Sequence, residues 1–564
     1  MELLFSYNSV VINVFKGEKF INNHKRIIVH LIGSIFNLYF GYCKNGGGSM
    51  YVYDTKAIRE MDHYAAQQGL SLFTLMENAG RGIAESLQKK VHKNTHILIL
   101  AGRGNNGGDG IVAARYLKQT NYNVSLVLPL GPPKSETAIA HYEYFKQCGY
   151  TADSWNFQEI NKTPYPLTAN INAESASSFI IIDALLGIGV NLPLRKNVSS
   201  VVQWANRQRA TRYAIDIPTG VNADHGEIEA ALKIENTNHF LKNEPTVFEA
   251  TATFVLHGAK PSAYLRPSSQ YYGEIIPISI GLNHHSNIRE TMKKDVRSSI
   301  PKRGQDAHKG TFGKSLLIAG SNSMPGSALL ATTGAIRSGT GLLMLATTTL
   351  ATTIIAPQVP EATYVEGGLG AIAKGHLPEK VSAIGIGPGL DDTEQIQNAL
   401  YHLMKTDISL VVDAGALLPN NKWERKTSAP IILTPHPGEF SRMTDVSIKD
   451  IEANRISIAQ SYARKNKVIL VLKGQSTIIA LPNGHVRINP TGNSALAKGG
   501  SGDVLTGMIT SMVSFYKSPE DAVTNAVYLH GLCAEQWVEN NSEAAMTASD
   551  FAKLLPKVLR KIQT

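Results

Sequence analysis

The chain has 564 residues, enough for two large domains, because a single hydrophobic core rarely grows past about 250–300 residues. Hydrophobic residues make up 43% and charged residues 18%, with 48 glycines, a composition suited to α/β enzymes with many tight turns between strands and helices. The net charge of +10 is spread along the chain with no basic stripe interleaved with aromatics, which argues against a nucleic-acid partner.

In chain order, residues 1–49 form a leader ending in Gly46-Gly47-Gly48-Ser49. Its apolar run Ile27–Tyr42 is interrupted by His30 and Asn37 and falls short of the roughly 20 residues a membrane-spanning helix needs. No small-residue cleavage pattern follows it, so a signal peptide does not fit. An extension from an upstream start is the plain expectation, a targeting or membrane-surface role the alternative. The three cysteines, Cys43, Cys148 and Cys533, lack metal or redox spacing and imply a reducing compartment. A cytoplasmic protein without a membrane partner is therefore expected.

From Met50 the pattern alternates helix-like and short apolar runs, the mark of a parallel sheet. Amphipathic stretches cover Thr55–Gln68 and Leu72–Lys90. Strands are predicted at His96–Leu100, Val124–Leu128, Ser178–Ile182, Arg212–Ile217 and Ala252–Leu256, with Glu229–Pro245 a solvated loop insertion. Gly281–Ile300 is polar and weakly periodic, which places a linker at residues 283–308 between domains 50–282 and 309–564. A second alternation follows, with strands at Lys314–Ala319, Leu342–Ala346, Ala383–Ile386, Ser409–Val412, Ile431–Thr434, Val468–Lys473 and Thr477–Ala480.

Two glycine loops of different design carry the chemistry. Ala101-Gly102-Arg103-Gly104-Asn105-Asn106-Gly107-Gly108-Asp109-Gly110 follows the first strand. Gly499-Gly500-Ser501-Gly502-Asp503 precedes the helix-like Val504–Val513. Open backbone N–H groups and the helix dipole favour an anion in both settings. The spacing Gly102-x-Gly104-x-x-Gly107 matches a dinucleotide fingerprint, but the second strand ends Val127-Leu128-Pro129-Leu130, without the carboxylate that would bind a ribose. A hydride-transfer dehydrogenase is disfavoured. Two more acids end strands, Asp183 before Ala-Leu-Leu-Gly187-Ile-Gly189 and Asp216 before Ile-Pro218-Thr219-Gly220. Strand-end side chains of an open parallel sheet meet in one crevice, so Asp109, Asp183 and Asp216 should converge with Asn106 and the Thr219 hydroxyl, an oxygen set suited to a hard cation. Each acid could instead cap a helix.

These three motifs, in this order over about Tyr51–Leu282, resemble the YjeF N-terminal family of NAD(P)H-hydrate epimerases. The resemblance implies a Rossmann-like three-layer sandwich. It puts Asn105, Asn106, Gly107, Gly108, Asp109, Gly187, Ile188, Gly189, Val190, Asn191, Leu192, Pro193 and Asp216 around the hydrated nicotinamide nucleotide. Asp216 would be catalytic, and Asn106, Asp183 and Thr219 would hold K⁺. The family usually has serine where this chain has Thr219, a change that keeps the hydroxyl.

In the second half, Asp503 is a candidate base for phosphoryl transfer beside a phosphate-cradling loop, its alternative being a helix cap. Leu433-Thr434-Pro435-His436-Pro437-Gly438-Glu439 presents His436 and Glu439, and Lys473-Gly474-Gln475-Ser476-Thr477 offers a cation and hydroxyls to a nucleotide. With Lys309-Gly310-x-x-Gly313, Met324-Pro325-Gly326-Ser327-Ala328 and Gly387-Pro388-Gly389-Leu390, this half resembles the ribokinase-like superfamily, and more closely its ADP-dependent NAD(P)H-hydrate dehydratase branch. The resemblance implies a ribokinase-like α/β domain in which Ala328, Gly387, His436 and catalytic Asp503 contact the hydrate. Lys473, Gly474, Gln475, Ser476, Thr477 and Gly502 would bind the adenine nucleotide. Relatives often carry methionine at the position of Ser501.

Together the halves imply a bifunctional metabolite-repair enzyme of a homo-oligomeric kind, acting on the small molecules NADHX and NADPHX, with ADP as phosphoryl donor and Mg²⁺ accompanying the nucleotide. A vitamin or sugar kinase with an accessory domain is the enzymatic alternative. A non-catalytic binding role for the first domain, as in messenger-decapping scaffolds, is another.

Overall fold

The computed structural model describes residues 50–154, 179–229, 246–419 and 421–564. The leader and nearly all of the expected loop insertion lie outside the described residues.

The first sheet has seven strands: β1 (His96–Ala101), β2 (Asn123–Leu128), β3 (Asp153–Ser154), β4 (Phe179–Ala184), β5 (Thr211–Ile215), β6 (Ala252–Leu256) and β7 (Glu274–Ile278). They run in the order β3-β2-β1-β4-β5-β6-β7, and every pair is parallel. Parallel strands covered on both faces read as unbroken apolar runs, which is why β1 (HILILA) and β4 (FIIIDA) are almost wholly buried. The helices Leu72–Lys90 and Asn105–Gln119 pack with β1, β2 and β4 around Ile97, Ile99, Ile111 and Ile182, while Lys196–Arg207 covers the other face through Val198, Val201 and Trp204. The result is a three-layer Rossmann-like sandwich. Its strand order reverses between β1 and β4, the place where such sheets open a crevice at their carboxyl ends.

The second sheet has ten strands: β8 (Ile288–Glu290), β9 (Lys314–Ile318), β10 (Leu342–Ala346), β11 (Ala362–Tyr364), β12 (Ala383–Ile386), β13 (Ser409–Val412), β14 (Ile431–Leu433), β15 (Ile469–Leu472), β16 (Ile478–Ala480) and β17 (Val486–Ile488). The order is β11-β10-β9-β12-β13-β14-β15-β16-β17-β8, with the switch point between β9 and β12. Only β16 runs against its neighbours. The helix Ser501–Val513, buried along most of its length, lies beneath β9, β12 and β13 and against the helix Pro325–Arg337.

The stretch expected as a linker is not structureless. β8 pairs in parallel with β17, and the helix Lys293–Ser299 buries Val296 in the second core. Only three residues of β8 enter the sheet and its burial is partial, so no apolar run announces it. On its free side β8 meets the start of the first domain, where Val52 N donates to Ile288 O (2.9 Å) and Glu290 N to Met50 O (2.8 Å). Tyr264 closes this seam by donating its hydroxyl to Glu290 (2.7 Å).

Candidate active sites

The first crevice is a cavity of about 540 Å³ at the carboxyl ends of β1, β4 and β5. The backbone comes close enough at its base to demand glycine: a Cβ on Gly102 would lie 1.8 Å from the carbonyl oxygen of Leu185. Gly104 then opens the helix Asn105–Gln119 with no side-chain cap, leaving the first amides to a ligand. Asn105, Asn106, Asp109, Gly187, Ile188, Gly189, Val190 and Asp216 line the cavity. Gly107 and Gly108 instead pack into the helix start, against Gly102 and Met76.

The expected convergence of three strand-end acids separates into two groups. Asp183 is fully buried: its Oδ1 accepts from Leu185 N (3.0 Å) and the Thr219 hydroxyl (2.8 Å), its Oδ2 from Thr219 N (2.8 Å). Burial pushes its carboxyl up to about 6 against the pull of those hydrogen bonds. Asn106 donates to Leu186 O (2.8 Å), while its Oδ1 is buried without a partner. Leu186 N in turn donates to the Thr219 hydroxyl (3.3 Å). Asn106, Asp183 and Thr219 are thus all hydrogen-bonded to the turn Leu185–Leu186, and together they offer one charge among neutral oxygens. That donor set fits a large monovalent cation such as K⁺ better than Mg²⁺.

The other group faces the cavity. Asp216, at φ +67°, contacts the ammonium of Lys260, which is 1% exposed and also donates to the carbonyls of Leu256 and Gly258 (both 3.2 Å). Asp109 and Asp62 point into the same space. Burial, and then the neighbouring carboxylates, hold Asp109 well above the ordinary range and raise Asp62 as well. His257 lines the wall, stacked on Tyr53 at 5.0 Å, with burial lowering it to about 4. Asp62, His257 and Lys260 carry no motif in the sequence. Lys260 lies four residues beyond the end of β6, a spacing that no pattern flags.

The second crevice gathers the ends of β9, β12, β13, β14 and β15 around the start of the helix Ser501–Val513. That helix too begins without a side-chain cap. Gly387 is again forced, since a Cβ there would sit 1.7 Å from the carbonyl oxygen of Asp413. Asp413 is the hub that the sequence reading missed. Its Oδ1 accepts from Lys473 (2.8 Å) and Thr434 (2.8 Å), its Oδ2 from Thr506 (2.7 Å). It sits one residue past β13, the same strand-end placement that singled out Asp183 and Asp216.

Lys473 therefore faces Asp413, with Glu439 3.8 Å away, and these carboxylates hold its ammonium above the ordinary lysine value despite burial. A Cβ on Gly502 would come 3.4 Å from that ammonium, which puts the glycine loop directly beside it. Asp503 follows, near Ser327. Burial pushes it up to about 6, with Asp413 and Glu439 adding and the Ser327 hydrogen bond and Lys473 pulling back. His436 Nδ1 caps its own helix by accepting from Gly438 N and Glu439 N, and the Glu439 carboxylate in turn accepts from His436 N (2.8 Å). The imidazole edge is left half-exposed at the mouth. Ala328 is wholly buried against Gly320, so its methyl packs inside the domain. Within the loop after β15, Gly474 is braced by Arg455, whose guanidinium donates to Leu472 O and Lys473 O. Ser476 adopts φ +53°, Thr477 donates back to Gly474 O (3.0 Å), and Gln475 contacts Arg266 of the first domain. The loop thus lies at the seam between the two domains.

Comparison with known proteins agrees with both halves. Residues 72–262 match the family model of the YjeF-related protein N-terminus, and residues 315–557 that of NAD(P)H-hydrate dehydratase. The ADP-dependent (S)-NAD(P)H-hydrate dehydratase of Bacillus subtilis is 45% identical over 277 residues, 49% of this chain and all of that protein. A crystal structure of the ADP/ATP-dependent NAD(P)H-hydrate dehydratase from that organism, co-crystallized with ATP/Mg²⁺, covers 48% of this chain and 97% of its own at a TM-score of 0.47. The bifunctional NAD(P)H-hydrate repair enzyme Nnr of Moorella thermoacetica is 30% identical over 540 residues, 91% of this chain and 97% of that one. The chain belongs to the bifunctional NAD(P)H-hydrate repair enzyme family, with a YjeF-related domain followed by an NAD(P)H-hydrate dehydratase domain.

Proposed function

We propose that the first domain interconverts the R and S hydrates of NADH and NADPH at C6 of the nicotinamide ring, as an isomerase. The second consumes the S form, as a lyase driven by ADP. The observation that carries this reading is that one chain, matched along nearly its whole length by a bifunctional relative, holds two separate crevices, each at the switch point of its own parallel sheet. A stereospecific dehydratase alone would strand one epimer, and a fused epimerase recovers it.

In the second crevice Asp503, as carboxylate, takes the proton of the C6 hydroxyl while that oxygen attacks the terminal phosphorus of ADP. The uncapped amides of Gly502 and Asp503 and the Lys473 ammonium face the charge that builds on the transferring phosphoryl group. AMP leaves. The phosphate then departs from C6 as the ring nitrogen lone pair pushes in, and loss of a proton from C5 gives NADH or NADPH. His436 and Gly387 flank the hydrate, and the loop Lys473–Thr477 holds the nucleotide. Asp413 and Glu439 are already engaged with Lys473 and Thr506, so Mg²⁺ would arrive on the nucleotide phosphates rather than in a protein cage. In the first crevice Asn106, Asp183 and Thr219 would hold K⁺, which would supply a fixed charge that firms the turn Leu185–Gly189.

The test is incubation of the purified full chain with a mixture of R and S hydrates and ADP. Both epimers should disappear, with one AMP and one phosphate formed per reduced nicotinamide recovered. Phosphorylation of a vitamin or sugar without loss of hydrate would establish the kinase alternative. Consumption of the S epimer alone would remove the epimerase.

A further inference from the structure

The cavity of the first domain is lined by three carboxyl groups, Asp62, Asp109 and Asp216, and they are distributed unevenly. Asp109 enters from the helix that follows β1, Asp216 from the turn that follows β5, and β4 with its Gly187–Val190 loop lies between them. Lys260 touches Asp216, whereas no hydrogen bond reaches the Asp109 carboxyl among the described residues. Asp62 comes from a third element, the helix Thr55–Gln67, alongside Arg59, and His257 completes the charged wall.

Building on the epimerase reading above, we propose that Asp109 and Asp216 form an alternating acid–base pair that exchanges the C6 hydroxyl for solvent oxygen on the opposite ring face, with Lys260 as the positioning residue that holds the Asp216 carboxyl in place. Starting from one epimer, protonated Asp109 gives its proton to the C6 hydroxyl. The C6–O bond breaks, the N1 lone pair forms C6=N1, and water departs. A second water adds to C6 from the other face, the C6=N1 pair returns to N1, and the surplus proton of that water passes to the Asp216 carboxylate. One water is lost and one gained, and one proton has crossed from Asp109 to Asp216. The reverse turnover uses the same two groups with roles exchanged. Placement on either side of the β4 loop is what an inversion needs, since the oxygen must leave one face and join the other. The arrangement also accounts for the proton. With Asp62, Asp109 and Asp216 sharing one buried cation, Lys260, the cavity favours keeping a proton on the acid that lacks the lysine.

The experiment follows epimerisation of the resolved S hydrate by the full chain in ¹⁸O-labelled water without ADP, with S-hydrate dehydration measured separately as a check on folding. Wild-type protein should interconvert the epimers, and each R molecule formed should carry solvent oxygen at C6. Asp109→Asn and Asp216→Asn should each slow epimerisation at least about a hundredfold while dehydration is unchanged. Lys260→Gln should lower kcat for epimerisation while leaving KM for the hydrate little changed, because Asp216 loses the contact that positions it, and Lys260→Arg should restore kcat. Should Lys260→Gln fail to fold, the two aspartate variants still decide the pair. No interconversion by the wild type would sink the epimerase reading itself. Interconversion with the original oxygen retained, or near wild-type epimerisation by Asp109→Asn, would overturn the acid–base pair while leaving that reading intact. An unchanged kcat in Lys260→Gln would remove Lys260 from it.

Discussion

The two crevices repeat one arrangement with opposite settings. In each, a lysine, wholly buried in the first and largely buried in the second, is committed to an aspartate just past a strand end, Lys260 to Asp216 and Lys473 to Asp413. In each, another carboxyl stands nearby on the first turns of a helix that follows a glycine loop, Asp109 in one and Asp503 in the other. Their surroundings then part. Asp109 is enclosed with further acids and held well above the ordinary carboxylate range, whereas Asp503 has Ser327 and Lys473 to moderate the effect of burial and lies at about 6. The first therefore keeps its proton to higher pH and is set to give it, while the second is set to take one. Burial and the position of one cation decide which chemistry an acid on the first turns of a helix performs.

The largest effect should come from removing the base. Asp503→Asn should lower dehydration by at least about a hundredfold while nucleotide binding and epimerisation persist, measured by turnover on S hydrate and by calorimetric titration with ADP. Near wild-type turnover would erase the contrast between the crevices.

The pH profiles should diverge next. Asp503 must be ionised to act, and its carboxyl is raised to about 6, so dehydration should fall as pH drops through that value. Asp109 must start protonated, so epimerisation should instead decline as rising pH strips the acid group of its shared proton. Parallel profiles, recorded on single epimers, would contradict the comparison.

A smaller effect concerns the cation. Thermal melts in potassium chloride should lie a few degrees above melts in choline chloride at equal ionic strength, and Asn106→Ala should remove the difference. Because Asp183 binds a cation only as carboxylate and titrates at about 6, the stabilisation should shrink as pH falls below that value. A shift that survives Asn106→Ala would place the ion elsewhere.

The smallest change should follow Thr219→Ser. The hydroxyl keeps its bonds to Asp183 and Leu186 N, so epimerisation should stay within about twofold, and loss of one buried methyl should cost about 0.8 kcal/mol in denaturant unfolding.

The fold was legible where apolar runs are buried on both faces. β1, β2, β4, β6, β10, β12 and β13 stand within a residue or two of their predicted places. Short or half-exposed strands, β3, β7, β8, β11 and β17, left no such run, and β7 contains Pro277. At the sites, glycine loops and strand-end acids were readable because tight turns and helix starts restrict which residues serve there. Lys260 and Asp62 were not, because a lone lysine after a strand, or an aspartate on an amphipathic helix, has an ordinary surface reading until the chain folds. Asp413 could have been found, since it obeys the strand-end rule applied to Asp183.

β8 has one further consequence. Hydrogen-bonded to β17 on one side and to Met50 and Val52 on the other, it works as a rivet through both domains. A dehydratase fragment beginning at Lys309 would strip that strand and expose the N–H and C=O row of β17, an open edge that invites pairing between molecules. A fragment beginning before Ile288 would keep β17 covered and leave open only the outer side of the three-residue β8. Where the chain can be cut is thus fixed by a three-residue strand that belongs, by its hydrogen bonds, to both halves.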